Sequence, residues 1–222
     1  MAFTSIPTTR VVPRFAATLS VAGLLLLGGC AAPGAVTPPA DRPSESAATD
    51  ASAVPVPSFE LTSETVDEGE ELALPQRSGL FGVPGGGDVS PQLSWAGFPE
   101  ETDSFIVSVY DPDAPTGSGF WHWTVANIPA HVTSLPENAG TEDGAGLPAG
   151  AVQVPNDSGL ARFIGAAPPS GTHEYRITVT AVDVPEFPAD QRVTSPLLQF
   201  FASSVTLARA TMTVTATAGA EE

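Results

Sequence analysis

Five ionisable side chains in this 222-residue chain are spaced so that they could share one small polar site. Asp111 and Asp113 flank Pro112 directly after an apolar run. Two residues apart in extended backbone, their side chains point the same way. Pro112 and Pro115 fix the local backbone and remove two donors. His122 follows between Trp121 and Trp123, and Pro168-Pro169-Ser170-Gly171 leads into His173 and Tyr175, again two apart. Two acids, two imidazoles and a phenol, walled by Trp121 and Trp123, suit an anion of the phosphate type. Imidazole N–H and tyrosine O–H groups donate to it, and turn amides add to the cradle. The aspartates would orient the imidazoles, favour their charged form, or accept from an ammonium on the same ligand. A ligand carrying both phosphate and amine would use the whole set.

Each residue also has a plainer reading. Aspartates beside prolines cap turns by bonding local amides. His122 could be a strand residue with one satisfied hydrogen bond, His173 a loop residue, and Trp121 and Trp123 core. His131, after Pro129-Ala130 in a turn, carries no assigned role. The catalytic templates G-x-S-x-G, H-E-x-x-H, the P-loop and paired cysteines are absent. Gly85-Gly86-Gly87 lacks the strand-to-helix setting of a phosphate loop. A site of two histidines and two aspartates fits a metal by residue type, but the spacing matches no metal signature. Neither a metal nor a cofactor is expected.

The elements that must position these residues are mostly strands. Ser104 to Tyr110 is a short apolar run suited to a strand buried on both faces. Trp121 to Ile128 alternates, placing Trp121, Trp123 and Val125 on one face and His122, Thr124 and Ala126 on the other. Tyr175 to Val182 alternates likewise, and Phe59 to Thr62, Leu93 to Trp95 and Arg209 to Thr217 are further strand candidates. Only Ser195 to Ser203 reads as helix, with Leu197, Leu198 and Phe201 at helical spacing. Short strands, long Gly/Pro turns and a single helix predict a mainly β, sandwich-like domain.

The N-terminal part reads as processing signal and tether. Arg10 and Arg14 precede an apolar stretch from Phe15 to Leu27, shorter than the roughly 20 residues of a membrane span. Leu27-Gly28-Gly29-Cys30 matches a lipobox, and Cys30 is the only cysteine. The expectation is a lipoprotein signal peptide over 1–29 and export to a bacterial cell envelope, with membrane attachment through lipid on Cys30. Residues 30–57 form the lipidated cysteine and a disordered tether rich in Ala, Pro, Ser and Thr. The folded domain is expected over 58–217, followed by a tail over 218–222. The chain carries 8 basic residues, all arginine, against 25 acidic ones, a net charge of −17. Loss of Arg10 and Arg14 would leave 6 against 25, near −19. Such a surface repels nucleic acid and anionic headgroups alike, so lipid rather than charge must supply the membrane contact.

Taken together, several segments resemble the phosphatidylethanolamine-binding protein family, in its bacterial Raf-kinase-inhibitor-like branch. They are Asp88-Val89-Ser90-Pro91-Gln92-Leu93-Ser94-Trp95, Asp111-Pro112-Asp113-Ala114-Pro115, Phe120-Trp121-His122-Trp123 with Asn127-Ile128-Pro129, Asn156-Asp157, and Pro168 to Tyr175. The resemblance runs from about Phe59 to Thr217. It implies two antiparallel sheets with a short C-terminal helix. It also implies a small cavity for phosphate, acetate or phosphoethanolamine-like groups, lined by Asp111, Asp113, His122, the Pro168 turn, His173 and Tyr175. Three positions depart from the family pattern. Gly165-Ala166-Ala167 stands where Gly-Pro is usual, Phe163 where tyrosine is common, and Glu174 where a basic residue is usual. The first two are expected to alter the pocket rim; strand alternation should turn Glu174 away.

The function expected is a non-catalytic, envelope-anchored module that binds a small anionic or phosphorylated group. The alternatives are a phosphoester or ester hydrolase using His122 or His173 as general base, and an inhibitor of an envelope kinase or exported protease.

Overall fold

The structure, a computed structural model, describes residues 56–190 and 192–219. The expected signal segment, Cys30 and all but the end of the tether lie outside the described residues. Eight strands follow in chain order: β1 (Glu60–Thr62), β2 (Leu93–Ala96), β3 (Ser104–Asp111), β4 (Phe120–Pro129), β5 (Ser134–Leu135), β6 (Val152–Gln153), β7 (Thr172–Val182) and β8 (Thr206–Thr217). One helix, α1 (Ser195–Ala202), and a 3-10 turn over Leu74–Gln76 complete the described elements. Two antiparallel sheets result, β1-β2-β5 and β6-β4-β3-β7-β8. The mainly β expectation holds, and each expected strand is present within a few residues. The two-residue strands β5 and β6 are too short to leave a periodic signal.

β3 occupies the middle of the large sheet, between β4 and β7. Phe105, Val107 and Val109 face the main core with Leu93, Trp95, Leu135, Trp123, Tyr175, Ile177 and Val179. Ile106 faces a second core with Ala126, Val182, Phe187, Leu198 and Ala202. Because both faces are covered, the run is apolar at nearly every position. The small sheet closes the main core through Trp95, edge-on to Phe105 at 5.4 Å.

α1 begins at Thr194, whose hydroxyl accepts from the Leu197 amide, with proline in the first turn. Its inward face is Leu198 and Ala202, four residues apart. Leu197 and Phe201 are exposed, so the helix turns a different stripe inward than the apolar spacing suggests. At the ends of the domain, Pro57 O accepts from Arg209 N at 3.0 Å and Ala218 N donates to Gly171 O at 2.8 Å.

Two irregularities in β4 matter for the site. Val109 pairs with Trp123 while Tyr110 pairs with Trp121, leaving His122 as an extra residue. Phe105 pairs with Ile128 and Val107 with Val125, so Ala126 and Asn127 together oppose Ile106. Asn127 takes φ +61°, which asparagine tolerates better than most residues. Bulges of this kind re-aim side chains, and the one at His122 breaks the simple alternation expected for the strand.

Candidate functional site

Asp111 ends β3, and each of its carboxylate oxygens has its own task. Oδ1 accepts from the amides of Asp113 (2.8 Å) and Ala114 (2.9 Å), closing the Asp-Pro-Asp turn. Oδ2 accepts from His173 Nδ1 at 2.8 Å. The turn-capping and the imidazole-orienting readings of Asp111 are therefore both realised in one residue. The second aspartate does neither. Asp113 is exposed, and its Oδ2 accepts from the Glu174 amide at 2.8 Å, tying the turn to the start of β7. The Asp111 contact takes up Nδ1 of His173, which as the donor to a carboxylate carries the proton.

His122 is the bulged residue of β4 and is only 4% exposed. Its Nδ1 lies 2.9 Å from Ile164 O. A carbonyl can only accept, so Nδ1 carries the hydrogen and the neutral ring presents a lone pair at Nε2. Burial lowers the pKa of this imidazole below 6.5, only partly opposed by the Ile164 carbonyl and by the negative charge of Asp111. Nε2 is buried with no hydrogen-bond partner among the described residues. In its neutral form His122 therefore presents an acceptor at Nε2, and it donates an N–H to an anion only once the ring is protonated.

Tyr175 lies on the inward face of β7, its ring edge-on to His122 with centroids 5.2 Å apart. Its hydroxyl is also buried and makes no hydrogen bond of ordinary geometry among the described residues, although the Asp111 carboxylate and the Ala167 backbone lie close enough to act on it. Burial first, then the Asp111 carboxylate, pushes its pKa well above the ordinary phenol value, so it is a donor at any physiological pH. Unsatisfied buried polar atoms are rare because each carries a desolvation penalty of about 1–3 kcal/mol. Here an acceptor on His122 and a donor on Tyr175 belong to rings in contact, next to the Asp111–His173 pair.

The loop around Gly165, expected at the pocket rim, holds His122 in place through its backbone. Asp88, at φ +52°, accepts from Gly165 N at 2.8 Å and Leu80 N at 2.9 Å. That places Ile164 O against His122, and Ile164 N donates back to His122 O at 3.1 Å. A Cβ at Gly165 would overlap the Arg77 backbone, so glycine is required for this approach. Ala166 N donates to Gln76 O at 3.1 Å, a bond that the family's usual proline would lack.

The tryptophan wall is not what the structure builds. Trp123 is fully buried in the main core, edge-on to Phe163 at 6.0 Å, with Nε1 donating to Gln153 Oε1 at 2.7 Å. Trp121 packs on Tyr110 with centroids 4.6 Å apart. The ring neighbours of His122 are instead Tyr175 and Phe120, the latter at 4.8 Å, and Phe81 stands edge-on to Phe120 at 6.0 Å. Phe163 likewise belongs to the core and not to a rim. Glu174 is exposed between buried His173 and Tyr175.

Pro168 lines a cavity of its own, of about 420 Å3, together with Pro169; its other walls include Arg77, Phe81 and Val83, and neither the aspartates nor the histidines line it. Among the described residues, no group of three or more His, Cys, Asp or Glu could hold a metal ion, and no helix is long and apolar enough to cross a membrane.

Comparison with known proteins agrees with this architecture. Residues 62–217 match the family model described as phosphatidylethanolamine-binding protein. The UPF0098 protein YbcL of Escherichia coli K12 is 48% identical over 157 residues, covering 70% of this chain and 85% of that one. The UPF0098 protein YbhB of the same organism is 40% identical over 157 residues, covering 70% and 98%. The crystal structure of E. coli YbcL, described as a new member of the mammalian PEBP family, superposes with a TM-score of 0.70 at 46% identity, over 72% of this chain and 98% of that one. A Chlamydia trachomatis homologue, CT736, gives a TM-score of 0.60 at 27% identity, over 71% and 96%. The chain therefore belongs to the phosphatidylethanolamine-binding protein family, with bacterial relatives of the YbcL and YbhB type.

Proposed function

We propose that Asp111, His122, His173 and Tyr175 form a non-catalytic binding site for a small anionic group of the phosphate or phosphoethanolamine type, on a chain held at the cell envelope by lipid on Cys30. The observation that carries the reading is the pair of buried atoms His122 Nε2 and Tyr175 Oη, in rings that touch, neither of which makes a hydrogen bond of ordinary geometry among the described residues. A ligand that satisfies both removes two desolvation penalties at once. The atoms also specify the ligand's protonation. Tyr175 donates to an anionic oxygen, while His122 Nε2 accepts from a ligand hydroxyl or becomes a donor after taking up a proton. A monoprotonated phosphate supplies both features. Asp111 fixes the His173 ring, and Asp113 secures the turn to β7 rather than touching the ligand.

The lipobox at Cys30 supports envelope attachment, and the large negative charge supports lipid over surface electrostatics as the means. A protein already held by lipid does not need its pocket to find phospholipid. That favours a soluble anion or a phosphorylated protein partner, with inhibition of a kinase or protease as one outcome of such binding.

Calorimetric titration with phosphate, phosphoethanolamine and acetate tests the site. Binding by the parent protein, lost in His122→Ala and weakened in His173→Ala, is expected; no binding by the parent protein would sink the reading. One observation favours a second reading. A neutral imidazole with an unencumbered Nε2 is the form a general base requires. Turnover of phosphoester or ester substrates, abolished by His122→Ala, would replace binding by hydrolysis.

A further inference from the structure

α1 presents its two faces against the usual order. A helix packed on a sheet normally turns an apolar stripe inward and polar residues to solvent. Here Phe200 is 72% exposed, and Leu197 and Phe201 are exposed beside it, the two phenylalanine rings 6.1 Å apart. The inward face holds Leu198 and Ala202, but Ser195 Oγ and Gln199 Nε2 are buried as well. Neither makes a hydrogen bond of ordinary geometry among the described residues, and nor does buried Thr180 Oγ1, at the position paired with Ile106. Polar atoms inside and three large apolar side chains outside leave the outward face with the most to gain from being covered. That face is also uncharged: no Asp, Glu, Lys, Arg or His occurs from Val193 to Ala208, in a chain of net charge −17.

The place of α1 in the fold selects the partner. Val182, which ends β7, pairs with Thr206, which starts β8, and Thr206 Oγ1 donates to Ala202 O at 2.8 Å, joining helix to strand. The chain enters the domain at this same end, where Pro57 O accepts from Arg209 N and Ser58 pairs with Arg209. Residues 31–57 therefore connect Cys30 to the end of the domain that carries the apolar helix face. His173 lies at the other end of β7, nine residues from Val182, roughly 30 Å of strand, and Asp111 lies there with it. We propose that the Leu197–Phe200–Phe201 face of α1 rests on the surface of the bilayer in which Cys30 is anchored, with the candidate anion site held at the far end of the sheet. The proposal rests on the reading of Cys30 as the point of membrane attachment. Phenylalanine and leucine on a helix lying in the membrane plane enter the boundary between headgroups and acyl chains. An uncharged face is the part of a strongly acidic chain that approaches headgroups without repulsion. Attachment at Cys30 makes the docking intramolecular, so a contact too small to hold the protein alone suffices to orient it.

The test is paramagnetic broadening of amide NMR signals in the full chain, held through Cys30 on phosphatidylcholine nanodiscs that carry a headgroup nitroxide. Where Cys30 is acylated, its own lipid anchors the chain. Where Cys30 is a free thiol, the lipid reading fails, and coupling to a maleimide phospholipid supplies the same attachment, so docking is tested in either case. Strong broadening at Leu197, Phe200 and Phe201, with little at Asp113 and Glu174, is expected. Phe200→Ser, at an exposed position, should lower the ratio of docked to undocked protein about 10-fold, the size of one phenylalanine side chain left in water. Phe201→Ser, less exposed, should act in the same direction, and Glu174→Arg should change nothing. The proposal is overturned if both ends of the domain broaden equally, if no helix amide broadens, or if the pattern survives Phe200→Ser. It is equally overturned if the helix amides shift with protein concentration in the absence of lipid, which would assign the face to a second copy of the chain.

Discussion

β4 contains two bulges, and they are used differently. At the first, His122 is 4% exposed; at the second, Asn127 is 6% exposed. Both therefore bring a polar side chain into the interior by adding one residue to the strand. Asn127 is fully spoken for: Nδ2 donates to Phe187 O at 3.1 Å and Oδ1 accepts from Phe187 N at 2.8 Å. His122 is half spoken for, with Nδ1 bonded to Ile164 O and Nε2 bonded to nothing among the described residues. A buried polar group that is fully satisfied rigidifies a fold; one left with a vacancy stores a free-energy penalty that a ligand can remove. The same backbone device serves as a structural staple at one end of the strand and, in the function we propose, as a binding element at the other.

The comparison can be broken from either side. The largest expected effect on stability is at Asn127. Asn127→Ala strands the Phe187 N–H and C=O, each at about 1–3 kcal/mol, and places alanine at φ +61°. Urea unfolding should show a loss of about 3 kcal/mol, with phosphate affinity unaltered in the folded fraction. His122→Ala should do the reverse in binding, lowering phosphate affinity about 10- to 100-fold by calorimetry while leaving a cooperatively folded protein. Equal loss of binding in both variants would show that the two bulges are not separable.

A pH series sharpens the contrast. Burial lowers the His122 pKa in the folded state, so the unfolded chain takes the proton first. The His122 contribution is fully present above about pH 6.5, the unfolded value, and is lost as pH falls through the lower folded value. Denaturation midpoints should fall with acidification in the parent protein and fall less in His122→Gln. Where Nε2 binds an anion as a donor, the same titration makes anion affinity rise as pH falls. The smallest effect is expected at Glu174. It is exposed, and its pairing with Arg176 is a long 4.0 Å, so Glu174→Arg should change stability by less than about 0.5 kcal/mol and leave binding intact.

The fold was legible wherever periodicity was clean. The doubly apolar Ser104–Tyr110 run marks a strand buried on both faces, β7 is legible from alternation, and β8 from its β-branched residues. The tryptophan-flanked histidine misled because alternation assumes an unbroken pleat. One extra residue at His122 sends Trp121 against Tyr110 and Trp123 into the core, and no local composition announces a bulge there. The partners of His122 were also hidden, since a backbone carbonyl such as Ile164 O has no sequence signature. Asp88 and Gly165 offered a faint one: an aspartate after three glycines, and a glycine before two alanines, are residue types that accept tight backbone approach. Arg77 gave no local signal, because Thr217 O, the acceptor of its Nη2, lies 140 residues away.

The most direct test of the central claim is the imidazole nitrogen spectrum of His122, followed near neutral pH as phosphate is added. The free protein should show a neutral ring with the proton on Nδ1 and a bare Nε2, and phosphate should convert Nε2 to a hydrogen-bonded nitrogen. A free ring that is already charged or protonated on Nε2, or an Nε2 signal that phosphate does not move, would contradict the account.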